Sequence, residues 1–183
     1  MNKLKVGVIG LGFMGDLHAN CYSTLPNVEL VGIADQDSQK SELAKKYNTV
    51  FYNDYNELLN SDVEAVSICL PDRKHVEACC DAAKSNKHIL VEKPLAHDFI
   101  SAEKIINTCK EFNVRLMVAH ILRFDPRCVQ LFNNTSADKI GELLHIKAKR
   151  ATVIDVANRL SSTSSILYYL GVHDIDLINW ISR

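Results

Sequence analysis

The sequence has no long apolar run, no strong charge of either sign, only four prolines and only seven glycines in 183 residues. Its longest apolar stretches, such as Ala65–Val66 and Ile68–Leu70 on either side of Ser67, fall far short of the roughly 20 residues that span a bilayer. Lys and Arg number 21 against 22 Asp and Glu, so the basic footprint of a nucleic-acid module is missing. No C-x-x-C pair occurs among the six cysteines, and no H-x-x-x-H or H-E-x-x-H spacing among the seven histidines, so no metal site is expected. A hydrophobic fraction of 47% argues against disorder. Met1–Gly7 runs straight into a strand-like segment without the apolar core of an export signal, and a cytoplasmic protein is expected. In that setting Cys21, Cys69, Cys79, Cys80, Cys109 and Cys128 read as reduced thiols, most of them packed as small hydrophobes.

What is present is an alternation. Apolar runs at Leu4–Ile9, Val28–Ala34, Ala65–Leu70, Ile89–Val91 and Val114–Ala119 read as buried strands. Phe13–Leu25, Ser38–Tyr47, Lys74–Ser85 and Asp98–Phe112 have helical spacing. Strands alternating with helices of this length predict βαβ units, and so an α/β, doubly wound Rossmann sheet over residues 1–120. The rhythm changes after that. Asp125–Phe132 reads as a helix, Glu142–Val153 alternates like a strand, Ser161–Ser165 is a polar loop and Val172–Ile181 is a helix. Residues 121–183 therefore look like the incomplete start of a second, α+β domain. An open strand edge and an uncovered helix face there predict either self-association through the C-terminal region after residue 140 or disorder in it.

Gly10-Leu11-Gly12-Phe13-Met14-Gly15 is a G-x-G-x-x-G placed where its chemistry requires, between the first strand and the first helix. Gly10 permits the tight turn, Gly12 lets backbone approach a pyrophosphate and Gly15 lets helix pack on strand, with Phe13 and Met14 in the same turn. Amides at the helix N-terminus then face the anion. Twenty residues beyond Gly15, Asp35 ends the second strand, where a carboxylate accepts from the adenosine ribose and repels a 2′-phosphate. This selects a dinucleotide, NAD in preference to NADP. The plainer alternative is an aspartate that caps a turn, a role Asp37 or Ser38 could equally fill.

At His88-Ile89-Leu90-Val91-Glu92-Lys93-Pro94-Leu95-Ala96 the sequence resembles the glucose–fructose oxidoreductase/inositol dehydrogenase (Gfo/Idh/MocA) family. Leu70-Pro71-Asp72-Arg73-Lys74-His75, Arg123-Phe124-Asp125-Pro126 and Gly171-Val172-His173-Asp174-Ile175-Asp176 agree with that pattern. The resemblance implies a two-domain NAD-dependent oxidoreductase that takes a hydride from a secondary hydroxyl of a sugar, inositol or nucleotide-sugar-like substrate. Its second domain would hold substrate and mediate homo-oligomers. Family members are usually much longer, so either a truncated product or a fragment is implied. A dinucleotide-binding module without turnover is the competing reading.

The resemblance also assigns roles. Lys93 would contact the reacting hydroxyl and the nicotinamide ribose, with Glu92 holding it by charge and a cis peptide expected before Pro94. His173 would be the acid/base, its imidazole suited to proton transfer near neutrality. Pro71 and His75 would lie beside the cofactor. Arg123, Tyr169 and Asp176 are candidate substrate contacts, although Arg123 is equally placed to pair with Asp125, and Asp176 to orient His173. His120 precedes Arg123 and is placed to face the same cleft. Tyr169 stands where the family commonly has an aspartate, which departs from the usual trio. Tyrosine donates a hydrogen bond but carries no charge at neutral pH, and packing in the core is its plainer role, as for Tyr168.

Overall fold

The structure is a computed structural model, and it describes residues 3–136, 139–155 and 165–182. Two compact units divide the chain, Met1–Ala119 and His120–Arg183.

In the first unit, six short strands of aliphatic residues form one parallel sheet. They are β1 (Leu4–Ile9), β2 (Val28–Ala34), β3 (Val50–Tyr52), β4 (Ala65–Ile68), β5 (His88–Val91) and β6 (Leu116–Val118), in the order β3-β2-β1-β4-β5-β6. The order reverses between β1 and β4. At such a switch point the loops leaving the two carboxyl ends diverge and leave a crevice for ligands. Helices α1 (Phe13–Thr24), α2 (Glu42–Tyr47), α3 (Tyr55–Leu59), α4 (His75–Lys84) and α5 (Phe99–Glu111) make the crossovers.

Side-chain alternation along the strands divides the core into two layers. Val8 and Ile33 face α1 and α2, packing with Leu11, Ala19, Leu30, Ala44 and Tyr47. Ile9 and Ala34 face the other way, into a larger layer with Leu58, Val66, Ile68, Ala78, Cys79, Ile89 and Ile105. Cys79, Cys80 and Cys109 are buried there as free thiols, whereas Cys21 is exposed and Cys69 and Cys128 are half-buried.

Most of the expected boundaries shift by one or more residues, and some elements differ outright. Ser38–Tyr47 is not one helix but a 3-10 turn, Ser38–Ser41, followed by α2. Strand β3 and helix α3 were not anticipated; at three and five residues neither is long enough to show a period. Three helices are followed by asparagine where glycine is common. Asn48, Asn86 and Asn113 take left-handed conformations (φ 50°, 58° and 53°) just after α2, α4 and α5. Asparagine does there what glycine usually does in a glycine-poor chain.

The second unit opens with a 3-10 turn, Ile121–Phe124, and α6 (Pro126–Ser136). A π-helical turn, Leu167–Gly171, runs into α7 (Val172–Ile181). Helix α7 is not left bare, since Trp180 stacks on Phe132 of α6 with ring centroids 4.4 Å apart and planes 6° from parallel. Glu142–Val153 forms no strand, because none of the described residues offers it a ladder partner. Most of the expected loop at Ser161–Ser165 lies outside the described residues.

Candidate active site

The carboxyl ends of β1, β2, β4 and β5 gather the first-unit candidates. Gly10 sits at φ +87°, and a Cβ there would lie 2.9 Å from the Cys69 carbonyl oxygen, so turn and neighbouring strand both demand glycine. A Cβ on Gly15 would fall 1.8 Å from the Gly10 carbonyl oxygen, which holds helix α1 hard against the turn. Gly12 is different: a side chain there would meet nothing. It caps α1 without any side-chain hydrogen bond and leaves the helix N-terminus open. Phe13 beside it is 86% exposed, and Met14 is half-buried. An open backbone cradle at a helix N-terminus, free of side-chain caps, fits a pyrophosphate.

Asp35 completes that half of the site. Its Oδ2 accepts from the Leu11 amide at 2.7 Å and its Oδ1 from the Asp37 amide at 2.8 Å. Each oxygen retains a second lone pair for a ribose hydroxyl. The helix-capping duty falls on Asp37, which accepts from the Gln39 amide. Asp35 is thus held at the turn rather than capping a helix.

Lys93 follows β5, half-buried, before a cis peptide to Pro94. Burial pushes its ammonium below the usual lysine range, and the charges of Glu92 and Asp72 partly oppose that shift. Glu92 is itself buried, with Oε2 accepting from the Lys93 amide at 3.1 Å and Oε1 lying 3.2 Å from His18 Nε2. Burial pushes the Glu92 carboxyl up, but His18 and then Lys93 more than offset it, leaving it below the usual range. Across β4, burial and the Glu92 charge drive the Cys69 thiol up to about 12, so it remains protonated at neutral pH. His18 and Ser67 belong to this cluster and were missed from sequence. The signal was present, since Gly15, His18, Ala19 and Tyr22 fall at helical spacing on the inward stripe of α1.

His75 is buried, its ring 1% exposed, with Nδ1 2.9 Å from the Pro94 carbonyl oxygen and Nε2 2.8 Å from that of Leu70. The ring lies between the loop after β4 and the loop after β5. Pro71 is exposed, opening the 3-10 turn Asp72–Lys74.

In the second unit, Arg123 makes a bidentate pair with Asp176, Nε at 2.8 Å and Nη2 at 2.6 Å, and lies over the Trp180 ring. Asp125 pairs with Arg127 instead, which corrects the alternative Arg123–Asp125 pairing and holds the Asp125 carboxyl down at about 2. His120 Nδ1 is 3.6 Å from Asp176, so His120, Arg123 and Asp176 do converge. His173 lies in the first turn of α7, half-buried with its Nδ1 shielded from solvent, and the adjacent Asp174 pairs with Arg150 at 2.8 Å. Tyr169 is half-buried on the π-helical turn, whereas Tyr168 is 41% exposed, which removes it from the core.

Comparison with known proteins agrees with this geometry. A family model described as "Oxidoreductase family, NAD-binding Rossmann fold" (GFO_IDH_MocA) matches residues 4–120. Inositol 2-dehydrogenase of Salmonella typhimurium is 29% identical over 184 residues, covering 97% of this chain and 54% of that protein. Glucose-6-phosphate 3-dehydrogenase of Bacillus subtilis is 30% identical over 185 residues, covering 95% and 52%. The scyllo-inositol dehydrogenase of Lactobacillus casei, solved with NAD(H) and scyllo-inositol, superposes with a TM-score of 0.87 at 24% identity, over 99% of this chain and 56% of that one. That last likeness establishes the fold. The chain spans about half the length of the curated relatives it matches. With its six-stranded parallel sheet, its glycine turn and a family match over most of the first unit, the chain belongs to the Gfo/Idh/MocA oxidoreductase family, which carries an NAD-binding Rossmann fold.

Proposed function

We propose that the protein oxidises a secondary hydroxyl of a polyol or sugar with NAD. The observation that carries this reading is the pairing of two features on one sheet edge. One is a backbone cradle at Gly12 with Asp35 fixed beside it. The other is a half-buried lysine at the carboxyl end of β5 whose ammonium is pushed down by burial. NAD, when bound, supplies the acceptor for the hydride. The chain's residues do the rest. The Gly10–Gly15 backbone and the N-terminus of α1 hold the pyrophosphate, and Asp35 accepts from the adenosine ribose. Lys93 holds the reacting hydroxyl and lowers the cost of its deprotonation, and the hydroxyl proton passes to a base, the role that the family resemblance gives to His173. Relatives named for inositol and for glucose 6-phosphate support a polyol or sugar as the substrate class.

Turnover of NAD with a panel of inositols and sugars tests the reading, with Lys93→Met beside the parent protein. The variant is expected to lose turnover while keeping NAD affinity within roughly a few-fold, because the adenosine half is held elsewhere. Near-normal turnover in Lys93→Met would sink the assignment. NAD binding by the parent protein without turnover on any member of the panel would favour a binding module, a reading that Tyr169 in place of the family's usual aspartate keeps open.

A further inference from the structure

Beneath the glycine turn runs a buried row of polar side chains that the proposed chemistry does not itself use. His18 Nδ1 lies 2.6 Å from Ser67 Oγ, and its Nε2 lies 3.2 Å from Glu92 Oε1. Ser67 is fully buried in the middle of the sheet, on β4. Ser67 Oγ also lies 4.0 Å from Cys69 Sγ. At the other end, Glu92 Oε2 accepts from the Lys93 amide.

A count of donors and acceptors orders this row. An ionised carboxylate only accepts, so His18 must present an N–H from Nε2. In the neutral imidazole Nδ1 is then an acceptor, which the Ser67 hydroxyl satisfies by donating. Glu92 Oε1 is buried and makes no hydrogen bond among the described residues, so His18 Nε2, 3.2 Å away, is its ion-pair partner. The row ends on the residue before Lys93.

We propose that His18, braced by Ser67, is a positioning residue for Lys93: its Nε2–H holds the Glu92 carboxylate ionised and aimed, and Glu92 fixes the backbone and the charge of Lys93 at the end of β5. This rests on the reading that Lys93 serves the reaction, but the device can be tested apart from it. Among the described residues, the titratable groups around Glu92 are His18 from α1, Cys69 just after β4, and Lys93 alongside with Asp72 beyond it. Without His18, burial dominates and the carboxyl takes up a proton more readily.

The experiment is a carbon-detected NMR titration of the Glu92 carboxyl in the full chain, comparing the parent with His18→Leu, His18→Gln and Ser67→Ala. His18→Leu is expected to raise the Glu92 midpoint by about 1 pH unit or more. His18→Gln, which retains an N–H toward the carboxylate, is expected to restore most of that shift, and Ser67→Ala to show a smaller rise. In turnover, the acid limb of the kcat profile should move up by the same interval in His18→Leu while KM for NAD stays put. A Glu92 midpoint unmoved in folded His18→Leu would overturn the proposal, and so would failure of His18→Gln to rescue it. Should His18→Leu not fold, a Glu92 midpoint in Ser67→Ala equal to that of the parent would overturn it as well. Absence of turnover in the parent protein would count against the oxidoreductase reading alone, since the carboxyl titration needs no turnover.

Discussion

Asp35 holds two backbone amides before any cofactor arrives, and this bears on how its loss should be read. Asp35→Ser removes the acceptor for the ribose, the repulsion toward a 2′-phosphate and the brace on Leu11. NAD binding is expected to weaken by about 1.5–3 kcal/mol, the range for a hydrogen bond to a charged group, and discrimination against NADP to relax. Isothermal titration with both cofactors measures this; unchanged affinity for both would make Asp35 a turn residue only. The residues legible in sequence were those whose chemistry is local. The glycine turn, Asp35 and the Glu92-Lys93-Pro94 run each carry their meaning within a few positions. Partnerships across the chain were not legible. Arg123 finds Asp176, 53 positions away, rather than its neighbour Asp125, and nothing in the local pattern ranks those two carboxylates. His75 illustrates a second limit, because sequence placed it correctly after β4 but could not show that two carbonyl oxygens enclose its ring.

At the scale of the element, long periodic segments matched their predicted spans. Val28–Ala34 and Val172–Ile181 agree with the structure at both ends. The failures were elements too short to have a period, Ser38–Tyr47, which divides into a 3-10 turn and α2, and Glu142–Val153, whose alternation finds no ladder. Helix α5 offers a test of what starts an element. Asp98 caps it, accepting from the Ser101 amide and hydroxyl at 2.7 Å each. Those two bonds, the amide first, hold its carboxyl below the usual range. Asp98→Ala is expected to lower the thermal midpoint by about 2–4 °C at neutral pH. A depressed carboxylate contributes its stability above its ordinary pKa and loses it as pH falls through the lower folded value. The gap between parent and variant should therefore close below the ordinary value of 3.8. Thermal melts from pH 7 downward check both points, and a gap constant with pH would mean the charge is irrelevant to the cap.

For the whole molecule, every group assigned to the adenosine and pyrophosphate lies in Met1–Ala119, a unit with its own two-layered core. A fragment ending at Ala119 is expected to unfold cooperatively and to bind NAD within roughly tenfold of the full chain, since domains with their own core fold alone. Loss of binding in a folded fragment would show that the second unit supplies part of the cofactor site.

The two layers of that core are unequal. Among the described residues, sixteen buried side chains fill the face under α3, α4 and α5, and seven fill the face under α1 and α2. Local opening follows the layer with less to lose, so amide hydrogens of α1 and α2 should exchange before those of α4 and α5. The thinner layer is also the one whose leading helix points its N-terminus at the cofactor. Ligand-linked protection should therefore be seen first where opening is local: saturation with NAD slows exchange in α1 by a factor approaching 1 + [NAD]/Kd. Occupancy of the dinucleotide site would then be readable as a change in the breathing of one face of the sheet, without any substrate and without any turnover.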